Sequence, residues 1–176
     1  RPLTASSDSA TRMASGIDAF SRIVGGAVSW LTLGMVLVTT LIVILRYVFG
    51  FGIVWLQESL TWMHAVVFML GAAFTLQRDE HVRVDIFYRG MGERGRALVD
   101  SAGVLLFVLP LSAYVIYESW GYVATSWSIT EISINAGGLP YPFLPLLKTL
   151  LLVMPVLVAL QSVSLLLQSL VRMRRA

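Results

Sequence analysis

Charged positions in this chain are spaced on the scale of a membrane rather than of a helical turn. About 23 uncharged residues separate Arg22 from Arg46, about 19 separate Glu58 from Arg78, about 17 separate Asp100 from Glu118, and about 23 separate Lys148 from Arg172. A helix rises roughly 1.5 Å per residue, so each run with its flanking turns can cross a hydrocarbon core of roughly 30 Å. Lipid offers no partner to backbone N–H and C=O groups, so apolar runs of this length cross as uninterrupted helices. The pattern predicts an all-α integral membrane protein of four transmembrane helices, at about residues 23–48, 54–77, 98–122 and 143–171. Residues 12–176 then form a single four-helix membrane domain, and the Ser/Thr-rich residues 1–11 are expected to be a disordered tail.

Two segments outside the spans carry helical periodicity. Met13, Ile17, Phe20 and Val24 recur against Ser15, Asp18, Ser21 and Arg22, which predicts a short amphipathic helix lying on the membrane surface before the chain turns inward. Val84, Phe87 or Tyr88, Met91 and Leu98 repeat this through the central connection, where Gly90, Gly92 and Gly95 loosen it. The first apolar run is too long for the core of a cleaved signal and has further spans behind it, so it is expected to stay as helix one.

Charge orients the bundle. Arg1, Arg12 and Arg22 precede the first span, Arg78, Arg83, Arg89, Arg94 and Arg96 follow the second, and Arg172, Arg174 and Arg175 close the chain, whereas Trp120 to Leu147 holds no Lys or Arg. By the positive-inside rule, the N and C termini and the central connection are expected to be cytoplasmic. Tyr47, Trp55, Trp120, Tyr122, Trp127 and Tyr141 fall where an outer aromatic belt belongs. Read this way, the net charge of +3 reports basic residues facing anionic membrane lipid rather than nucleic acid. Hydrophobic residues make up 57% of the chain and charged ones 13%, more apolar surface than a soluble core of this size needs. With no cysteine, disulfides, thiolate metal sites and cysteine nucleophiles are excluded.

Within the spans, Gly26 and Gly34 share a face of the first helix, and Gly71 and Thr75 a face of the second, as close helix packing in lipid requires. Pro110 and Pro155 lie near the middle of spans three and four, where each removes a backbone donor and is expected to bend its helix.

The ionisable residues gather at the rims. Arg46 near the end of span one and Glu58 near the start of span two are placed to compensate each other or to meet a subunit, and Glu118, Glu131 and Lys148 fall at the same outer level. His64 lies inside span two and is expected to make an interhelical hydrogen bond. His81 lies about 17 residues further on, roughly 25 Å along one helix, so a single chain cannot ligate a haem with both. Asp79, Glu80, His81 and Asp85 occupy an Arg-rich loop that reads as solvated or partner-facing rather than as a metal cluster. Nucleotide loops, nucleophile elbows, paired His/Glu metal motifs and inverted pairs of broken spans are all missing. The sequence thus points away from an enzyme, a resident cofactor, or a substrate site within the chain. Two other readings stay open: a membrane anchor holding haem or quinone through His64 and a partner's histidine, and an autonomous exporter using Glu58 as its proton-coupling carboxylate.

The segments RYVFGFG (Arg46 to Gly52) and LQESLTWMHAVVFMLGAAFTLQRDEHVRVDIFY (Leu56 to Tyr88) resemble the small membrane subunit, the Q or DctQ-type subunit, of tripartite ATP-independent periplasmic (TRAP) transporters. The matching positions are Arg46, Tyr47, Glu58, Gly71, Ala72, Ala73, His81, Val84 and Asp85. EISINAGGLPYPFLPLLKTLLLVMPVLVALQ (Glu131 to Gln161) is similar to the branch labelled mannitol/chloroaromatic. The resemblance implies a multi-pass protein of the bacterial inner membrane that serves a sodium-coupled importer of organic acids. Its implied partners are a large membrane subunit that moves the substrate and a periplasmic binding protein that captures it. The small subunit then acts as a scaffold without a substrate site, with Arg46, Glu58, His64, His81, Asp85, Glu118, Glu131 and Lys148 in structural or contact roles.

Overall fold

A computed structural model describes residues 4–77 and 90–175. Its elements are α1 (Thr4–Tyr47), α2 (Val54–Gln77), α3 (Glu93–Gly103), a π-helical turn (Val104–Val108), α4 (Leu109–Ser128) and α5 (Phe143–Arg175). Four helical stretches are long and apolar enough to cross a membrane: Arg12–Tyr47, Val54–Leu76, Arg94–Ser128 and Phe143–Ser169. These are the four expected spans. The third runs further than expected, because Trp120 to Ser128 continues the helix.

Antiparallel neighbours fix two ends. α1 meets α2 with Gly25 beside Phe74 and Gly34 beside Met63, and α1 meets α5 with Ser21 beside Gln161 and Ala14 beside Ser164. Residues 48–53 and 129–142 therefore share one end, here called the loop end, and the beginning of α1 and the last turns of α5 share the other, the terminal end.

α5 is the hub. It packs on α1, α2, α3 and α4, and α1 also packs on α2, while among the described residues α3 and α4 make no comparable contact with α1 or α2. The bundle is thus not a closed ring. Among the described residues the α1/α2 pair lies against α5 and the α3/α4 rod packs chiefly on α5, which leaves large helix faces uncovered.

Burial is inverted relative to a water-soluble bundle. Ser21, Ser101, Ser112, Ser126, Gln161, Ser162, Ser164 and Ser169 are buried, whereas Trp30 is 74% and Phe107 71% exposed. Small polar residues let helices approach closely when lipid, not water, solvates the apolar exterior.

Several local expectations change. The helix already includes Thr4, so it takes in most of the segment expected to be a disordered tail. No turn separates an interfacial helix from span one, because Ser21 and Asp18 face α5 and hold this part of α1 in line with the bundle, with Met13 and Phe20 left outside. In the second expected amphipathic segment, Val84, Phe87 and Tyr88 lie outside the described residues, and Leu98 belongs to α3, which runs straight into span three. At the α1–α2 contact the close approach is at Gly25, not Gly26: a Cβ on Gly25 would fall on the Phe74 ring, while one on Gly26 would meet nothing. Pro110 is the second residue after the π-helical turn, whose wider hydrogen-bond register accommodates its missing N–H. Pro155 is buried within α5, which stays helical from Phe143 to Arg175.

Candidate functional site

Polar side chains gather into one cluster at each end of the bundle. At the loop end Glu58, one turn into α2, is the anchor for residues 129–142. Ser133 Oγ donates to its Oε1, Asn135 Nδ2 donates to the same oxygen at 2.8 Å, and the Leu139 N–H donates to Oε2 at 2.7 Å. The Asn135 N–H donates to Ser133 Oγ at 3.1 Å, which ties the donors to one another. This needs glycine: Gly137 adopts φ +75°, and a Cβ on Gly138 would come within 2.7 Å of the Glu58 carboxylate.

A second anchor stands beside it. Thr130, at φ +47°, ends α4 and turns the chain so that the Glu131 N–H bonds the Ser126 carbonyl at 3.1 Å. Glu131 Oε2 then pairs with Lys148 Nζ of α5 at 2.5 Å. Lys148 Nζ also stands 4.0 Å from the centre of the Tyr122 ring. The hydrogen bond from Lys148 holds the Glu131 carboxyl below its ordinary value of 4.5. Indole N–H groups close the layer, Trp62 donating to the Phe143 carbonyl at 3.1 Å and Trp127 to Thr149 Oγ1 at 2.9 Å. Between α2, this loop and α5 lies a half-open groove of about 510 Å³, lined by Glu58, Trp62, Ile132, Ile134 and Leu147 among others. Ile134 is 98% exposed at its rim.

At the terminal end Asp18 of α1 gathers donors from α5. Gln161 Nε2 and Ser164 Oγ donate to its Oδ1 at 2.8 Å, and Gln168 Nε2 donates to Oδ2 at 3.0 Å. Ser21 Oγ donates back to Gln161 Oε1 at 2.6 Å. The donors recur as Gln161, Ser164 and Gln168, one face of α5. Sequence reading missed this network, taking Asp18 and Ser21 for a water-facing stripe; the matching polar stripe on α5 was the available signal.

The expected site residues divide accordingly. Glu58, Glu131 and Lys148 come together in the loop-end layer. Arg46 is exposed at the end of α1 and makes no ion pair among the described residues; Glu58 is occupied by loop donors instead. Glu118 is exposed on α4, one turn before Tyr122. Among the described residues His64 makes no interhelical hydrogen bond: it faces outward and stacks on Phe68, ring centres 4.7 Å apart. His81 and Asp85 lie outside the described residues.

Residues 35–172 match the family described as tripartite ATP-independent periplasmic transporters, DctQ component. The chain belongs to the DctQ family. It is 33% identical over 88 residues to the C4-dicarboxylate TRAP transporter small permease protein DctQ of Vibrio cholerae serotype O1 (strain ATCC 39315 / El Tor Inaba N16961), a match covering 50% of this chain and 38% of that relative. No solved structure matches the chain. A DctQ component with four membrane-crossing helices is a small subunit of a TRAP transporter and a multi-pass protein of the bacterial inner membrane.

Proposed function

We propose that this DctQ-family subunit is a scaffold in a sodium-coupled, binding-protein-dependent importer of organic acids: it braces the large membrane subunit and has no substrate site of its own. The observation that carries this reading is the state of Glu58. A coupling carboxylate has to exchange its partners during a transport cycle, whereas Glu58 accepts three hydrogen bonds from its own loop and serves as the fixed point of that loop. The polar networks close on themselves at the two ends, and the helix faces between them are apolar and open to a neighbour. Both features suit a brace better than an autonomous exporter. Small carboxylates fit the proposal better than a polyol, in keeping with the C4-dicarboxylate named for the Vibrio cholerae relative.

In this reading the termini are cytoplasmic and the 129–142 loop faces the periplasm, where it is available to the binding protein. Because the chain has no cysteine, single cysteines report topology directly. Ala136→Cys should react with a membrane-impermeant maleimide in intact cells and Arg94→Cys should not; the reverse pattern would invert the orientation. A tagged chain co-expressed with the large subunit should co-purify with it, and recovery of the small chain alone would refute the bracing role.

A further inference from the structure

Among the outward-facing polar residues, His64 lies at mid-span without a hydrogen-bond partner among the described residues. It is ten residues from the start of the Val54–Leu76 span and twelve from its end, so roughly 15 Å of helix separates it from either boundary. An imidazole is too short to reach water from that depth, unlike a long arginine or lysine. Both ring nitrogens need hydrogen-bond partners and hydrocarbon supplies none. Among the described residues the imidazole meets the Phe68 ring and no hydrogen-bond partner.

Phe68 is also a wall of a groove of about 410 Å³ between α1 and α2. Its other lining residues include Ser29, Thr32, Gly71, Ala72 and Thr75. The Ser29 hydroxyl is committed to the Gly25 carbonyl at 2.9 Å and that of Thr75 to the Gly71 carbonyl at 3.0 Å. Two of the groove's hydroxyls are thus already committed to their own helices, and His64, stacked on the Phe68 wall, is an imidazole still in need of a partner. An acyl chain would fill the groove and leave the imidazole unserved; a protein helix bearing a polar side chain at mid-span would fill it and serve it.

We propose that the α1–α2 groove receives a transmembrane helix of the large permease subunit, and that a polar group on that helix hydrogen-bonds His64 near the membrane midplane. The inference rests on the scaffold reading and adds to it a docking face and an anchor. The α3/α4 rod, on the other side of α5, is then not the primary contact.

The test uses the full chain co-expressed with a tagged large subunit in membranes. A benzoylphenylalanine in place of Phe68 should cross-link to the large subunit on illumination, and one in place of Phe107, on the far rod, should do so much less. His64→Leu should lower the large subunit retained after detergent purification about three- to tenfold, and His64→Asn should restore most of it. Gly71→Leu gives a steric test, because a Cβ there meets nothing within 4 Å and the rest of the side chain would enter the groove that Gly71 lines; it should also reduce retention. Cross-links from position 68 only to lipid or to a second copy of this chain would overturn the proposal, as would equal cross-linking at both positions, full retention by His64→Leu and Gly71→Leu, or a Soret band lost in His64→Leu. In those cases co-purification of the unaltered subunit would still uphold the scaffold reading, whereas its failure to co-purify would remove both.

Discussion

At the scale of single residues, geometry reassigns Glu58 from the partner of Arg46 to the anchor of a loop. The expected outcome is additivity: Arg46→Ala and Glu58→Ala should lower detergent-stable yield independently, with the double variant losing the sum of both effects. A marked shortfall from additivity would restore the Arg46–Glu58 pair. Gly138→Ala should mimic Glu58→Ala, since its Cβ competes for the space of the carboxylate. Both should speed the labelling of Ala136→Cys by loosening the loop, and unchanged labelling rates would show that the carboxylate does not hold it. The Glu131–Lys148 pair gives a pH signature. A carboxyl held below its ordinary 4.5 contributes stability at pH values above the unfolded value, and that contribution is lost as pH falls through the lower folded value. Loop protection should therefore weaken on acidification below about 4.5 in the native subunit, and Glu131→Gln should show the weakened state at every pH.

At the scale of elements, the four spans were legible because lipid imposes a length and a composition that a sequence cannot disguise. Which faces meet was less so. Gly25 and Gly26 are adjacent and equally small, and only the phase of α1 against α2 puts Phe74 over one of them. Gly25→Ala should destabilise the detergent-solubilised chain by about 1–3 kcal/mol through overpacking, and Gly26→Ala should be near neutral. Equal effects in a thermal unfolding assay would refute this register. The Asp18 network was hidden for a related reason: its members stand more than a hundred residues apart, and each alone looks like a solvated polar residue. Removing the carboxylate leaves the donors of buried Gln161 and Ser164 without their acceptor, so Asp18→Ala should cost about 1–3 kcal/mol and Asp18→Asn less.

At the scale of the whole molecule, the resemblance carried by Arg46 to Tyr88 and Glu131 to Gln161 pointed to the family that the chain belongs to. What pattern alone could not supply was the arrangement around α5. Apolar periodicity marks which residues avoid water, but in lipid both packed and lipid-facing surfaces are apolar. An open bundle with α5 as hub, polar networks closed at both ends and broad uncovered faces is a shape suited to bracing a larger membrane protein. The most direct test of that claim is uptake by reconstituted liposomes. Sodium-driven accumulation of a small organic acid should occur when this subunit, the large subunit and the loaded binding protein are all present, and should be absent with this subunit alone. Uptake by liposomes containing only this chain, or undiminished uptake when it is omitted, would contradict the scaffold account.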